Sequence, residues 1–355
     1  MIEQRLRNFN ITEFQADLLH WYHLNKRDLP WRENKDPYKI WVSEIMLQQT
    51  KVDTVIPYFH RFIDKFPTVY ALADADPQDV LKAWEGLGYY SRARNLQNAV
   101  QEVVASYGGI VPSNRDELGS LKGIGPYTRG AILSIAYDLP EPAVDGNVMR
   151  VISRVLKVEE DIAQQRVKKV FESYISKLIA EEDPASFNQA IMELGALICT
   201  PKSPSCMLCP VQSHCMAYAE GIQKELPIKT KAKRQKTIPY AALLINNEDG
   251  AYLIEKRKDS GLLASLWQFP MVPLNEVGMD QLENWIDKEY GIKIKLKVKK
   301  GKLKHVFTHL IWQLDIYEAE IMDWNTKERK LTFVEKRDLK TYPFPVSHLK
   351  MMKYL

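Results

Sequence analysis

Two periods of hydrophobic and polar positions divide this chain. Through roughly the first 220 residues, apolar side chains recur at helical spacing. Phe14–Tyr22, Tyr38–Gln49, Asp79–Leu87, Leu96–Tyr107, Pro126–Asp138 and Gln165–Ala180 each predict a helix with an apolar stripe. Short turns with Pro, Gly or Asp separate them, and no alternating run interrupts them. Beyond Glu220 the pattern changes. Lys224, Lys229, Lys231, Lys233, Arg234 and Lys236 stand against one acid, Glu225, with Pro227 among them, which predicts an exposed basic linker. The period then falls to two. Ile238–Ile245, Ala251–Lys256, Ile292–Lys299, Val306–Asp315 and Leu331–Val334 predict strands, and Leu282–Glu289 one helix. The expectation is an all-α domain over 1–222, a linker over 223–236 and an α+β domain over 237–355, with no internal repeat.

Composition adds exclusions. With 355 residues, 45% hydrophobic and 26% charged, the chain is ordinary for a globular protein and long enough for a large core. No apolar run reaches the roughly 18 residues that span a bilayer. The opening Met1-Ile-Glu-Gln-Arg-Leu-Arg7 lacks the apolar centre of a signal peptide. A bacterial-like cytoplasmic location is therefore the expectation. The net charge of +4 hides an asymmetry: residues 1–222 hold 24 basic and 28 acidic residues, a balance of −4, and residues 223–355 hold 25 and 17, a balance of +8. A polyanion suits that basic third, as does a plainly solvated lysine face.

All four cysteines fall in one stretch, Cys199-x6-Cys206-x2-Cys209-x5-Cys215. Nothing suggests export, so a disulfide framework is not expected. Four thiolates this close can bind one zinc ion or an iron–sulfur cluster. Upstream, Leu121-Lys-Gly-Ile-Gly-Pro-Tyr127 lies between two helical patterns. Gly123 and Gly125 permit positive φ and close approach of another backbone. Pro126 suits a first helical turn, whose free N–H groups and dipole favour phosphate. Two acids also stand out. Glu44 has largely apolar neighbours at helical spacing, so burial would raise its pKa and suit it to general-acid work. Asp145, before Gly146 at a predicted helix start, has the position of a cap. A carboxyl that holds a proton and one that stays charged are together the equipment of acid-assisted bond cleavage.

The uneven cysteine spacing resembles the iron–sulfur loop of the endonuclease III superfamily of DNA glycosylases, and the glycine string resembles its helix-hairpin-helix. The words Asp28-Leu-Pro-Trp-Arg32, Val42–Thr50, Trp84-Glu-Gly-Leu-Gly-Tyr-Tyr-Ser-Arg92 and Ala143-Val-Asp-Gly-Asn-Val-Met-Arg150 narrow the match. They resemble the MutY family of adenine DNA glycosylases, and the resemblance covers nearly the whole chain. It implies a helix-hairpin-helix glycosylase domain with one 4Fe-4S cluster on Cys199, Cys206, Cys209 and Cys215. It implies a monomer that acts on double-stranded DNA and excises adenine flipped from opposite 8-oxoguanine. Glu44 would protonate adenine, Asp145 would stabilise the sugar cation, and Tyr127 and Asn147 would support them. Arg27, Leu29, Trp31 and Gln189 would line the adenine pocket. Gln49, Thr50, Leu87 and Tyr89 would fill the stack and hold the opposite base, Gly123 and Gly125 would meet the backbone, and Lys202 would face a phosphate. Bifunctional members of the superfamily carry a lysine where this chain has Tyr127. A Schiff base needs an amine, so a monofunctional enzyme is expected.

The last third resembles a Nudix fold through Arg257–Pro270. A working Nudix hydrolase needs a Gly-x5-Glu-x7-Arg-Glu-x2-Glu-Glu string, and Asp280–Gly291 lacks its Arg-Glu core, so binding rather than hydrolysis is expected. His305-Val-Phe-Thr-His309 resembles the family's 8-oxoguanine loop, which gives His305, Phe307, Thr308 and His309 that role. Two competing readings are a glycosylase of other specificity and a non-catalytic iron–sulfur DNA-binding protein.

Overall fold

The computed structural model describes residues 2–230, 235–324 and 331–355. Contacts divide the chain into two units: Met1–Ala73 with Asn98–Lys231, and Asp74–Gln97 with Ala232–Leu355. That partition differs from a linear boundary at 222, because residues 74–97 group with the C-terminal sequence. Part of the expected basic linker, residues 231–234, lies outside the described residues.

Unit one is helical. Its helices are α1 (Ile2–Leu6), α2 (Ile11–Asn25), α3 (Pro37–Leu47), α4 (Val52–Lys65) and α5 (Val69–Ala73). After residues 74–97, which carry α6 (Pro77–Ala83) and the start of α7 (Ser91–Tyr107), come α8 (Arg115–Ser120), α9 (Pro126–Tyr137) and α10 (Gly146–Val155). The series ends with α11 (Gln165–Leu178), α12 (Pro184–Leu197) and α13 (Met216–Ala219). One core joins α2, α10, α11 and α12 through Phe14, Leu18, Ile152, Phe171, Phe187 and Leu194, each fully buried. Burying such a side chain contributes about 1.5–3 kcal/mol.

Two glycines set how closely these helices pack. A Cβ on Gly130 of α9 would sit 1.9 Å from the Pro142 carbonyl oxygen, and one on Gly195 of α12 would sit 2.7 Å from the Asn147 Cβ. Only glycine lets the backbone leading into α10 lie this near both helices.

Unit two holds a mixed sheet of seven strands: β1 (Lys236–Asn246), β2 (Tyr252–Lys256), β3 (Trp267–Gln268), β4 (Met271–Pro273), β5 (Ile292–Val306), β6 (Leu310–Trp324) and β7 (Leu331–Val334). The order is β3-β2-β1-β6-β5, with β4 paired to β1 and β7 to β2. Only the β1–β6 pairing is parallel among those described. Strand β1 reads as one apolar run because both its faces are covered. Ala241, Leu243 and Ile245 enter a core with α14 (Leu282–Tyr290), and Ala242 and Leu244 enter another with Phe269, Phe344 and α15 (Val346–Met351).

Two expected elements shift. The strand expected over Val306–Asp315 straddles a turn at residues 307–309 between β5 and β6, because no Gly, Pro, Asn or Asp marks the break. The helix expected over Asp79–Leu87 begins at Pro77 under an Asp76 cap and stops at Ala83, where Gly86 and Gly88 take positive φ. On β5, an edge strand, Lys297, Lys299 and Lys300 pair with Glu320, Asp315 and Glu318 of β6. Much of the lysine face is thus a charge-matched edge, which discourages pairing with another chain.

Candidate active site

Helix α3 carries Glu44. Its start is fixed by Asp36, whose side chain accepts hydrogen bonds from the Tyr38 and Lys39 amides, and by Pro37 in the first turn. Residues Tyr38 and Ile40–Met46 are all buried, so the helix is covered on every side and Glu44 is only 5% exposed. The Tyr127 hydroxyl, one residue into α9, donates a hydrogen bond to Glu44 Oε2. Burial raises the Glu44 carboxyl to about 7, opposed by the Tyr127 hydrogen bond and by Arg32, and helped by Asp145. Such a group carries a proton near neutral pH and can give it up.

Asp145 caps α10. Its Oδ1 accepts from the Val148 amide at 2.8 Å and its Oδ2 from Asn147 Nδ2 at 2.9 Å. Capping and a place in the cleft are the same position here. Burial raises its pKa, while the Val148 and Asn147 hydrogen bonds and the Arg150 charge oppose the rise. Asn147 is held in turn by Arg150, whose Nη2 donates to Asn147 Oδ1 at 2.9 Å and to the Gly195 carbonyl at 2.7 Å. Arg150 Nε donates to the Cys199 carbonyl at 2.8 Å. One guanidinium therefore joins the Asp145 cap to the first cysteine.

Glu44, Tyr127, Asp145, Asn147, Arg27, Leu29, Trp31, Gln189, Gln49 and Thr50 all line one cleft of about 660 Å³. That size is usual for a small-ligand site. Sequence reasoning missed Glu193 on its wall. Its side chain is 2% exposed and accepts from Arg27 Nε at 2.7 Å, Arg27 Nη2 at 2.9 Å and Arg32 Nη2 at 3.0 Å. Burial alone would raise its pKa, but the two guanidiniums overcome it and hold the carboxyl at about 2. The signal was available: Glu193, like Glu44, stands among apolar residues at helical spacing. Arg32, Arg150, Gly130 and Gly195 were also given no role.

The remaining predicted residues lie elsewhere. Gly123 and Gly125 belong to the α8–α9 turn. Gly123 has φ of +87°, but Gly125, with φ of −89°, is an extended N-cap whose added Cβ would meet nothing within 4 Å. Positive φ is thus needed at the first glycine and not the second, where an open backbone is the feature left for a ligand. Leu87, Tyr89, His305, Phe307, Thr308 and His309 belong to unit two. There the Tyr89 and Thr308 hydroxyls share a hydrogen bond, and the Phe307 ring packs edge-on against His305 and Trp312. Gln49 and Tyr89, with φ of +59° and +46°, hold strained left-handed backbone of a kind that clusters at functional sites.

The four cysteines line one mostly apolar cavity with Val151, Val155, Leu194 and Ile198. Among the described residues, no group of three or more His, Cys, Asp or Glu is arranged to hold a metal ion. Burial pushes the Cys209 and Cys215 thiols up to about 12 and 11, so thiolates there require cationic partners. Arg154 Nη1 donates to Cys199 Sγ at 3.2 Å, a bond that suits a charged sulfur. Four sulfurs around a shared cavity fit an iron–sulfur cluster. Lys202 is exposed in the adjoining loop. No described helix is long and apolar enough to cross a membrane.

Comparisons with known proteins agree with this geometry. Residues 42–177 match the HhH-GPD superfamily base excision DNA repair protein family, residues 199–215 the iron–sulfur binding domain of endonuclease III, and residues 241–354 the NUDIX domain. An adenine DNA glycosylase of Mus musculus is 36% identical over 88% of this chain and 71% of its own length. One of Buchnera aphidicola is 35% identical over 86% of this chain and 84% of its own. Among solved structures, a thermostable thymine-DNA glycosylase covers 59% of this chain and 97% of that one, with 27% identity and a TM-score of 0.54. A trapped endonuclease III–DNA covalent intermediate, 22% identical, shares the helical fold over 60% of this chain and 99% of that one, with a TM-score of 0.51. Identity this high over most of both chains means that the protein is a DNA N-glycosylase of the adenine DNA glycosylase family, with an iron–sulfur loop and a Nudix-like second domain.

Proposed function

We propose that the chain removes adenine from opposite 8-oxoguanine, or guanine, in duplex DNA as a monomeric, monofunctional glycosylase of base-excision repair. The single observation that carries the mechanism is Glu44: a carboxyl raised to about 7 by burial, in one cleft with the capped Asp145. The target adenosine leaves the stack and enters the cleft between Arg27, Leu29, Trp31 and Gln189. Glu44 gives its proton to adenine N7, and Tyr127 fixes the carboxyl that donates it. The C1′–N9 bond then breaks and neutral adenine leaves, while Asp145, oriented by Val148 N and Asn147, places negative charge beside the sugar cation; water adds at C1′ and its proton restores the Glu44 carboxyl. The hydroxyl of Tyr127 stands where a lyase would need an amine. Two exposed lysines, Lys168 and Lys229, also line the cleft, so borohydride trapping tests monofunctionality directly.

On the DNA, Gly123, Gly125 and the start of α9 take a backbone phosphate, and Lys202 another. Gln49, Thr50 and the Leu87 backbone fill the gap in the stack; Tyr89, His305, Phe307, Thr308 and His309 read the opposite base. Cys199, Cys206, Cys209 and Cys215 hold one 4Fe-4S cluster, which when bound ties the 199–215 loop into one body and supplies its redox chemistry. The second domain binds without hydrolysing nucleotides, because α14 offers Asn284 and Trp285 where the hydrolase string has Arg and Glu. Single-turnover excision on duplexes with adenine opposite 8-oxoguanine, adenine opposite guanine and thymine opposite guanine tests this. Fastest loss of adenine opposite 8-oxoguanine, leaving a site cut only by alkali, is expected. Preference for thymine, or strand cleavage without alkali, overturns it.

A further inference from the structure

Residues 74–97 are separated from the C-terminal sequence by more than 130 residues, yet they belong to its contact unit. The segment is held by polar bonds at both ends. The Gln78 amide on α6 is used twice: Nε2 donates to the Ser265 carbonyl at 3.1 Å, and Oε1 accepts from Trp267 Nε1 at 2.9 Å. At the other end, Arg94 Nη1 donates to the Ala264 carbonyl at 2.7 Å. Between them, Glu85 Oε1 accepts from the Phe344 amide at 2.8 Å and Tyr90 donates to the Phe344 carbonyl at 3.1 Å.

The receiving turn is unusual. Leu263 and Ser265 both take left-handed backbone, with φ of +55° and +63°, and neither is glycine. Such a residue is strained and persists only where its surroundings over-determine it. The turn is tied internally by the Ser265 amide to the Lys258 carbonyl at 3.0 Å and by Ser265 Oγ to Asp259 at 2.8 Å. Its two outward carbonyls, on Ala264 and Ser265, are the ones that Arg94 and Gln78 take. The strained conformation aims consecutive acceptors at this segment.

Between Gln78 and Arg94 lies Tyr89, in left-handed backbone and hydrogen-bonded to Thr308. We infer that Gln78 and Arg94 are specificity-positioning residues. They clamp the Tyr89 segment onto the strained 258–266 turn, so that Tyr89 and Thr308 address the base opposite adenine as one rigid reader. This rests on the assignment of Tyr89 and Thr308 to the opposite base. Neither clamp residue touches the adenine cleft, so weakening the clamp lowers discrimination and spares the chemistry.

The test is single-turnover excision by the full chain, with its cluster loaded, on adenine opposite 8-oxoguanine and adenine opposite guanine. Gln78→Ala removes both amide bonds; Trp267→Phe removes one and keeps the ring against Tyr342, which it meets edge-on at 5.0 Å. Gln78→Ala is expected to lower the 8-oxoguanine-to-guanine rate ratio about tenfold, which is 1.4 kcal/mol, with the saturating rate opposite guanine unchanged. Trp267→Phe, which keeps the fold if Gln78→Ala does not, should lower the ratio about threefold. In a Tyr89→Ala background Gln78→Ala should change the ratio no further, a non-additivity that a merely stabilising residue would not show. An unchanged ratio in folded Gln78→Ala and Trp267→Phe overturns the inference, as does an equal fall on both duplexes. A wild-type ratio of one would instead overturn the opposite-base reading beneath it.

Discussion

Two buried glutamates face one cleft and are held in opposite charge states. Glu44 on α3 has a phenol and an apolar helix around it, and burial keeps its proton on near neutral pH. Glu193 on α12 has two guanidiniums within hydrogen-bonding distance, and they keep its proton off down to about 2. Desolvation acts in the same direction on both. What differs is the donor supplied: a neutral hydroxyl offsets only part of the effect of burial, and a pair of cations reverses it. In the proposed mechanism the first region stores a proton for chemistry. The second fixes Arg27 and Arg32 in the pocket wall.

Exchanging each carboxyl for its amide separates the two roles. Glu44→Gln should cost about 10³-fold in single-turnover excision, within the usual range for general acid catalysis, with duplex binding retained. Glu193→Gln should leave two cations facing a buried neutral amide. Removing one partner of a buried pair costs about 3–5 kcal/mol, so thermal unfolding should fall by on the order of 10 °C. If Glu193→Gln proves as stable as wild type, the guanidiniums are satisfied by solvent and the contrast fails.

Smaller changes sharpen the contrast. Gly195→Ala places a methyl group 2.7 Å from the Asn147 Cβ and should push Asn147 off Asp145. About a tenfold loss of excision is expected, as for a displaced transition-state hydrogen bond worth about 1.5 kcal/mol. The pH dependence set by Glu44 should not move. A Gly195→Ala enzyme with the wild-type rate would show that Asn147 does not orient Asp145.

On stability against pH the two glutamates should have opposite signs. Glu44 is raised from 4.5 to about 7 in the fold. The stability it contributes is complete below about 4.5 and is lost as pH rises through about 7. Glu193 is lowered from 4.5 to about 2. Its contribution is present above about 4.5 and is lost as pH falls through about 2. Denaturant titration at pH 5.5 and 8.5 should therefore show Glu44→Gln losing less stability with rising pH than wild type. Equal losses would place the Glu44 carboxyl in ordinary solvent.

Much of this was legible in the sequence because local signals were strong. The stripes over Tyr38–Gln49 and Pro126–Asp138 matched α3 and α9 within a few residues, since Asp36-Pro37 and Gly125-Pro126 mark their starts. Burial of Glu44 followed from its apolar neighbours. Glu193 shows the same pattern and went unassigned, because no motif drew attention to it and its partners, Arg27 and Arg32, are more than 160 residues away. Gly130 and Gly195 were equally silent: each is needed only because another backbone arrives beside it. The turn at 307–309 was hidden for a different reason: it is built without Gly, Pro, Asn or Asp, so nothing in the sequence punctuates it. The assignment of 74–97 to the second unit rests on bonds between residues at least 170 positions apart, which no local period records.

The most direct measurement is the pH dependence of single-turnover adenine excision for wild type and Tyr127→Phe. In the proposed mechanism the proton on Glu44 is the one delivered, so the wild-type rate should fall as pH rises through about 7. The Tyr127 hydrogen bond lowers that pKa, so its removal should move the descending limb to higher pH. A wild-type rate flat from pH 5.5 to 9, or a limb that does not move in Tyr127→Phe, would contradict Glu44 as the proton donor.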